Sequence, residues 1–341
     1  MTLSKNQFKN HLYKKMIPIC VIGYGISGML CLLALEQSGV NPQHICVIDP
    51  YFDGGELQRI WSSVMSNTPW SKLQETIRLF KPNWISPREF SEIQPHELTP
   101  VYKLAKCIRT TVHSYLQRCN IIQDTVISIQ NQTNVWNIQC LKQSIQSHLL
   151  CIGTGMKAKE FQCNIPQIPL SIAFHKESLQ NYVNSFDNVV VFGTSHSGTL
   201  VLRNLELCKV PTLAFYKHKE PFYFDRDGHY DGIKEESAKI ADDILQNNYK
   251  YVKLISMNDT LSFIRAIRSA TWVISATGYE SRTQGFEVEG PHVWKFGAAF
   301  PPTAPDGIHK DISVLVFAQQ VHKLIPEILE AYQRLDFHSS L

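Results

Sequence analysis

The residues with the clearest chemical potential form a glycine-rich turn near the start of the chain. They have the spacing Gly23-x-Gly25-x-x-Gly28, follow an apolar run and open a helical pattern. Glycines at this spacing allow a tight turn, let the backbone approach a pyrophosphate and permit close packing of the helix on the strand. Asp49 ends the next apolar run, where its carboxylate can accept hydrogen bonds from a ribose. The pattern predicts a dinucleotide site; the alternative is a glycine-rich turn in an α/β domain that binds no nucleotide.

A second turn, residues 193–198, has the same place between an apolar strand and a helix. It begins and ends with glycine, and Ser195 stands where the middle glycine would be. Lys217 and Lys219 come after the next strand, whereas the strand that follows the first turn ends at the acid Asp49. An acid would repel a 2′-phosphate and the lysines would attract one, so we expect NADPH, with NADH as the alternative. Taken alone, the turn also fits an ordinary strand–helix loop, and the lysines fit a solvated surface.

The runs around both turns predict an α/β fold of two domains, as the length of 341 residues also suggests. The segment 51–100 lacks periodicity, and we expect ordered loops and short helices there because Trp61, Trp70 and Trp84 need burial. Strands are predicted at 17–22, 45–48, 121–129, 134–141, 148–152, 188–192, 211–216, 251–256, 270–275 and 293–296, and helices at 29–37, 101–117, 199–207, 234–245 and 312–335.

Composition narrows the function classes. The 33 Lys and Arg residues against 30 Asp and Glu leave a net charge of +3, too small to predict binding to nucleic acid or to a membrane. No apolar run is long enough for a membrane span, and we expect residues 1–16 to be a polar leader rather than a signal peptide. The nine cysteines and thirteen histidines show no metal-binding spacing or paired dithiol. We therefore expect a cytoplasmic protein with reduced thiols and no metal.

Two further glycine motifs complete an order that resembles a known group of proteins. Gly153-Thr154-Gly155 and Thr277-Gly278 each end an apolar strand downstream of a glycine turn. This order is similar to that of flavoproteins with two dinucleotide-binding domains: thioredoxin-reductase-like enzymes, flavin-containing monooxygenases and lysine or ornithine N-hydroxylases. The resemblance extends over roughly residues 17–335. It implies two Rossmann-like, doubly wound, three-layer domains: an FAD domain of residues 17–165 and 290–341, and an inserted NAD(P)H domain of residues 166–289.

The resemblance also implies which residues contact the two cofactors, with FAD at the first turn and NAD(P)H at the second. Trp61 and the segment 66–68 lie where this group wraps the flavin ring; the alternative is a loop anchored by the tryptophan. Asp306 lies where relatives close over the flavin, although Asp-Gly is also a plain turn. The expected cofactor-binding residues are Gly23, Gly25, Ile26, Ser27, Gly28, Asp49, Pro50, Trp61, Ser66, Asn67, Thr68, Gly153, Thr154, Gly155, Gly193, Ser195, His196, Ser197, Gly198, Lys217, Lys219, Thr277, Gly278 and Asp306.

Within the group, the sequence favours the monooxygenase branch. The disulfide reductases usually need a cysteine pair beside the flavin, and the chain has none in local sequence. The second turn is similar to the G-x-[GS]-x-S-[AG] turn of the monooxygenases. His175 matches the histidine of their upstream signature, but Pro169, Ser171 and Leu179 depart from it. The alternative for His175 is a loop histidine that packs where the chain crosses between the domains.

We therefore expect an FAD-dependent oxidoreductase that passes hydride from NADPH to FAD and then to O₂ or a small organic substrate. The alternatives are a reductase or oxidase without a cysteine pair, and a non-catalytic flavin-binding sensor or scaffold. No residue is identified as a catalytic acid or base.

Overall fold

Two sheets organise the chain, one mixed and one parallel, and in each a strand leads directly into one of the glycine turns. The computed structural model describes residues 16–222, 233–282, 288–303 and 313–336. The strands are β1 (Met16–Ile22), β2 (Ile45–Ile48), β3 (Asn120–Ile122), β4 (Val126–Gln132), β5 (Val135–Cys140), β6 (Ser144–Ile152), β7 (Met156–Ala158), β8 (Val189–Phe192), β9 (Thr212–Tyr216), β10 (Val252–Ser256), β11 (Trp272–Ser275), β12 (Tyr279–Ser281) and β13 (Val293–Lys295).

The helices connect these strands and cover the sheets. Along the described ranges, every helix is too short or too polar to cross a lipid bilayer. The helices are α1 (Ile26–Gln37), α2 (Glu56–Arg59), α3 (Trp70–Arg78), α4 (Tyr102–Leu116), α5 (Leu170–Ala173), α6 (Lys176–Leu179), α7 (His196–Leu207), α8 (Glu236–Leu245), α9 (Thr260–Ser269) and α10 (Val314–Asp336).

The first sheet has β1 at its centre, parallel to β2 on one side and to β6 on the other. Strand β6 changes partner along its length, because its first half pairs antiparallel with β5 and its second half pairs parallel with β13. Ile22 aligns with Ile48 of β2 and with Ile152 of β6. The carboxyl ends of these strands therefore meet at one edge, where an α/β sheet binds its ligands.

The second sheet is parallel throughout, in the order β10-β9-β8-β11. We call each sheet with the helices packed on it a unit, the first unit around β1 and the second around β8. A two-stranded antiparallel ladder, β7 with β12, joins the two units. Strand β7 follows β6 of the first sheet, and strand β12 follows β11 of the second sheet. The ladder pairs Tyr279 with Ala158. The ladder therefore connects the ligand-binding edge of one sheet to that of the other.

Helix α1 is apolar on all sides because it is surrounded. It lies between the first sheet and helices α4 and α10, and residues 26–35 are all buried. The opposite face of the sheet packs on the β4–β5 hairpin through Trp136 and Ile138. In the irregular segment, Trp70 and Trp84 are buried as predicted, whereas Trp61 is only half-buried.

The short elements β7, β12, α5 and α6 are absent from the sequence prediction, and three further details differ. Helices α1 and α7 begin three residues earlier than predicted, because Gly28 and Gly198 lie inside the first helical turn rather than before it. The strand predicted over 121–129 is two strands, since Asp124 turns the chain by accepting the N–H groups of Thr125 and Lys142. Helix α9 is missing from the prediction, although the Asp259 cap at its start was a readable signal.

The contact between α1 and the end of β1 gives a test of the fold. A Cβ atom on Gly28 would lie 1.9 Å from the carbonyl oxygen of Gly23. Gly28→Ala should therefore lower the free energy of unfolding by about 3 kcal/mol, because backbone atoms must move. Urea unfolding of the ligand-free protein measures this.

Gly25→Ala is the matched control at the same helix end. Its Cβ would meet only the Cα of Gly55, at 4.0 Å, so the stability should equal that of the wild type or exceed it by about 0.5 kcal/mol. Equal stabilities for the two variants would show that the close approach at Gly28 does not exist.

Candidate functional site

A cavity of about 780 Å³ opens at the carboxyl edge of the first sheet. Its walls come from the first glycine turn, the end of β2, the segment after β6, helix α2 and strand β12. Of the residues predicted to bind a cofactor, those that line it are Gly23, Gly25, Ile26, Ser27, Asp49, Pro50, Trp61, Gly153, Thr154 and Gly155.

The first glycine turn brings backbone atoms to the cavity wall. Gly23 has φ of +99°, and its N–H donates to the carbonyl of Ile48 at 2.8 Å. The Cβ direction of Gly25 opens into space, with no atom nearer than 4.0 Å. Helix α1 begins there with no side-chain cap and no acidic residue in its first turn. The helix end is therefore open to an anion in the cavity.

Asp49 fixes the loop and keeps capacity for a ligand. Its carboxylate accepts the backbone N–H of Tyr24 at 2.8 Å, of Tyr51 at 2.8 Å and of Phe52 at 2.9 Å. An ionised carboxylate has about four acceptor positions, so one remains for a hydroxyl in the cavity. The ribose contact of Asp49 stays a prediction.

The segment after β6 contributes a polar group without a partner. The hydroxyl oxygen of Thr154 is buried and has no hydrogen-bond partner among the described residues. Such groups are rare because leaving one unsatisfied costs about 1–3 kcal/mol. The loop after β13 closes beside it, where Gly297 packs on Ser27 at the start of α1. The Thr154 hydroxyl therefore fits a position that a polar ligand would complete.

A charged pair crosses the cavity between the two units. Arg282, which follows β12, donates to the carboxylate of Glu56 on α2. Arg59, one turn further along the chain, pairs instead with Asp53 at 2.9 Å. Burial raises the pKa of Glu56, while the charges of Arg282 and Arg59 oppose that rise. The Glu56–Arg282 pair therefore ties the cavity wall of the first unit to the ladder strand.

The second turn repeats the first closely. The N–H of Gly193 donates to the carbonyl of Phe215 at 2.9 Å, and a Cβ on Gly198 would lie 2.2 Å from the carbonyl oxygen of Gly193. Ser195 has φ of −76° and ψ of −165°, against −77° and −171° at Gly25. A serine therefore adopts the backbone of the middle glycine without strain. Helix α7 also begins without a side-chain cap or an acidic first turn.

The strand registers correct one equivalence drawn from the sequence. Because Ile22 aligns with Ile48 and Phe192 with Phe215, the residue equivalent to Asp49 is Tyr216. Lys217 lies one residue beyond that position and Lys219 three residues beyond it. Both lysine side chains are exposed. The second unit therefore has no carboxylate at the position where the first unit has Asp49.

An aromatic cluster lies between the two turns. Trp61, Phe174 and Tyr279 pack together, with ring centroids 4.6 Å apart for Trp61–Phe174 and 5.2 Å for Trp61–Tyr279. The Tyr279 hydroxyl lies 3.2 Å from the Ser197 hydroxyl of α7. His175 uses its Nε2 atom to contact the carbonyl of Ile60 at 3.0 Å. The histidine thus packs at the junction of the two units.

Several predicted residues lie elsewhere. Ser66, Asn67 and Thr68 form a turn whose polar groups bond to one another, and they do not reach the cavity wall. Gly28 does not line the cavity; it lies behind the wall, where it packs against the backbone of Gly23. His196 begins α7, where burial lowers its pKa. Thr277 and Gly278 follow β11 beside the second turn, and Asp306 lies outside the described residues.

The cysteines form no redox centre at the cavity. All nine are unpaired, as predicted, and none lines the cavity wall. Cys20 and Cys46 face each other on β1 and β2, but both are buried in the sheet. Across the described ranges, no three His, Cys, Asp or Glu side chains gather as a metal site.

Other wall residues are absent from the sequence prediction. The chain passes from β3 to β4 at the cavity wall, and this connection brings in Asp124, Thr125 and Val126. Arg282 reaches the cavity because it follows the ladder strand β12, and no local sequence pattern predicts that the ladder forms. Tyr279 follows the Thr-Gly motif directly, so that motif could have identified it.

Comparison with known proteins shows the fold. No family model matches the chain, and no curated protein matches it significantly. Similar solved structures include bacillithiol disulfide reductase Bdr (YpdA) from Staphylococcus aureus, with 10% identity, a TM-score of 0.64 and coverage of 92% of this chain and 98% of that one. A flavin-containing monooxygenase from Stenotrophomonas maltophilia has 14% identity, a TM-score of 0.62 and the same coverage. Thioredoxin reductase from Lactococcus lactis has 8% identity, a TM-score of 0.56 and coverage of 93% and 99%. The predicted fold class, with two Rossmann-like units, is confirmed.

The raised pKa of Glu56 predicts a pH dependence of stability. Because the native state holds this proton more tightly than the unfolded chain, the contribution of Glu56 falls as the pH rises from the usual carboxyl value to the raised one. The unfolding free energy of the wild type should therefore drop, relative to that of Glu56→Gln, as the pH rises from about 4, the usual carboxyl value, towards neutrality. Urea titrations of both proteins across that range measure the difference, and a constant or opposite trend would contradict it.

Proposed function

We propose that the chain is a flavin-dependent oxidoreductase that binds FAD at the first turn and NADPH at the second. The observation that carries this proposal is the repetition of one phosphate-binding geometry at the facing edges of two sheets. The ladder β7–β12 and the Glu56–Arg282 pair join those edges. Such a pair of sites would hold two dinucleotides close enough for transfer between them.

The first site fits FAD on three independent features. The Cβ direction of Gly25 is open, so a diphosphate can approach the backbone at the uncapped start of α1. Asp49 retains one acceptor position for a ribose hydroxyl. The unpartnered Thr154 hydroxyl would gain a hydrogen bond from the bound cofactor.

The second site fits NADPH better than NADH. With Tyr216 in the place of Asp49, no carboxylate is there to accept the 2′-hydroxyl of NADH or to repel the 2′-phosphate of NADPH. The exposed ammonium groups of Lys217 and Lys219 supply positive charge directly after this position. Both features favour the phosphorylated cofactor.

A bound flavin would supply the redox chemistry, taking hydride from NADPH and passing electrons to an acceptor. The chain itself orients the two cofactors and excludes water. Trp61 and Tyr279 supply apolar surface between the two turns, and Glu56–Arg282 closes the wall beside them. These residues position and shield; none is assigned as a proton donor or acceptor.

A monooxygenase-like reaction with O₂ and a small organic substrate is favoured over disulfide reduction. A disulfide reductase of this fold would use thiols next to the flavin, whereas every cysteine here lies away from the cavity wall. A direct NADPH oxidase or reductase needs the same two sites and differs only in the final acceptor.

The central test uses the flavin colour. The purified protein should be yellow, and NADPH added without oxygen should bleach the flavin absorbance. Gly25→Ala should fold normally but bind FAD at least about tenfold more weakly, because its methyl group would occupy the diphosphate position. A colourless wild type that takes up no FAD would contradict the first site, and a yellow protein that NADPH leaves unchanged would favour a sensor or scaffold.

Admitting air after reduction separates the acceptors. Slow reoxidation with little hydrogen peroxide would favour the monooxygenase, whereas immediate release of hydrogen peroxide would favour an oxidase.

The lysines test the choice of nicotinamide cofactor. The double variant Lys217→Glu/Lys219→Glu should raise the KM for NADPH about tenfold or more and that for NADH far less, because only NADPH has the 2′-phosphate. The matched control is Lys209→Glu/Lys250→Glu, with the same charge change on exposed residues at the opposite edge of the second sheet. Equal effects of the first pair on both cofactors would remove the case for NADPH.

A further inference from the structure

One side chain contacts both candidate cofactor sites. Tyr279 lines the first cavity, where its ring packs on Trp61, another wall residue, with centroids 5.2 Å apart. Its hydroxyl lies 3.2 Å from the hydroxyl of Ser197, the second residue of α7. The two sites therefore meet at a single tyrosine, which begins strand β12 of the ladder.

Ser197 is placed to serve a ligand as well as the tyrosine. It lies at the uncapped start of α7, and its residue is buried. A serine hydroxyl has one proton to donate and can accept at the same time. Without a ligand, either hydroxyl of the Ser197–Tyr279 pair can be the donor. An anion at the helix start would remove that freedom, because Ser197 would have to donate to it.

We propose that Tyr279 is a positioning residue that couples the two sites: a diphosphate at the second turn makes Ser197 its donor, which makes Tyr279 the donor to Ser197 and shifts the wall of the first cavity. This inference rests on the proposed function, since it needs both dinucleotides to bind. The resulting chain runs from the Tyr279 hydroxyl through the Ser197 hydroxyl to the phosphate. Hydrogen bonds in such a chain polarise and strengthen one another.

The surroundings of Tyr279 support the donor role. Burial raises the pKa of its hydroxyl, so the group keeps the proton that it must donate. The ring is held on its other side by Trp61, which packs in turn on Phe174 at 4.6 Å. Closely packed aromatic rings transmit small displacements because they leave no free space between them. A change at the Tyr279 hydroxyl therefore reaches the cavity wall through Trp61.

The test uses a probe without the ring that would receive or donate hydride at the flavin. The probe is 2′-phospho-ADP-ribose, which has the diphosphate and the 2′-phosphate of NADPH but no nicotinamide ring. Its affinity for the FAD-loaded protein is measured by calorimetry, and the flavin absorption spectrum is recorded with and without it. We expect the probe to perturb the spectrum of the wild type, although it lacks the ring that would contact the flavin.

Two variants and one control isolate the hydroxyl pair. Tyr279→Phe keeps the ring against Trp61 but should weaken probe binding about two- to tenfold and abolish the spectral change. Ser197→Ala should weaken binding at least as much, and the double variant should bind no more weakly than Ser197→Ala alone. Tyr182→Phe, which removes the hydroxyl of an exposed tyrosine on the same unit, should match the wild type.

The outcomes separate this inference from the proposed function. If the wild type binds FAD and is reduced by NADPH, but the probe leaves the flavin spectrum unchanged, the coupling is refuted and the function stands. Wild-type behaviour of Tyr279→Phe, or additive effects in the double variant, would likewise refute the coupling. If the wild type binds neither FAD nor the probe, both proposals fall together.

Discussion

The organisation of this protein depends on a contact between backbone atoms: the first turn of a helix lies directly against the end of the strand that precedes it. A Cβ on Gly28 would be 1.9 Å from the carbonyl oxygen of Gly23, and one on Gly198 would be 2.2 Å from that of Gly193. Only glycine allows this approach. It directs the start of each helix at the carboxyl edge of its sheet, so the positive helix ends and the strand ends face the same space.

Closure of the first cavity needs the second unit. Helix α2 and the first glycine turn leave one side open, and β12 with Arg282 forms the wall there. The antiparallel ladder fixes where that wall lies, and the Glu56–Arg282 pair and the contact of Trp61 with Tyr279 bind it to the first unit. A movement of the second unit would therefore change the wall around the cofactor proposed for the first turn. This shared wall is the physical basis for coupling the two sites.

Under the proposed function, the two units would bind different nucleotides with one shared backbone geometry. Their turns have the same hydrogen bond from the first glycine to the neighbouring strand, and Ser195 repeats the backbone angles of Gly25. They differ at the residue that follows this hydrogen-bonded position: the first unit has Asp49 there, and the second unit has Tyr216. Because the shared turn geometry is made of backbone atoms, it can stay constant while the side chain that follows it changes.

The sequence by itself determined both turns, the strands that flank them and the fold class, because glycine spacing and apolar runs are local signals. It also identified ten wall residues of the cavity; nine lie within a few residues of such a signal, and Trp61 was identified from the family resemblance. Only the tertiary structure decided that Tyr216 corresponds to Asp49, since register depends on hydrogen bonds between strands. It also brought in Asp124 and Arg282, and it left Ser66, Asn67 and Thr68 away from the cavity. Those positions depend on how distant segments pair and pack, and no spacing along the chain encodes that pairing.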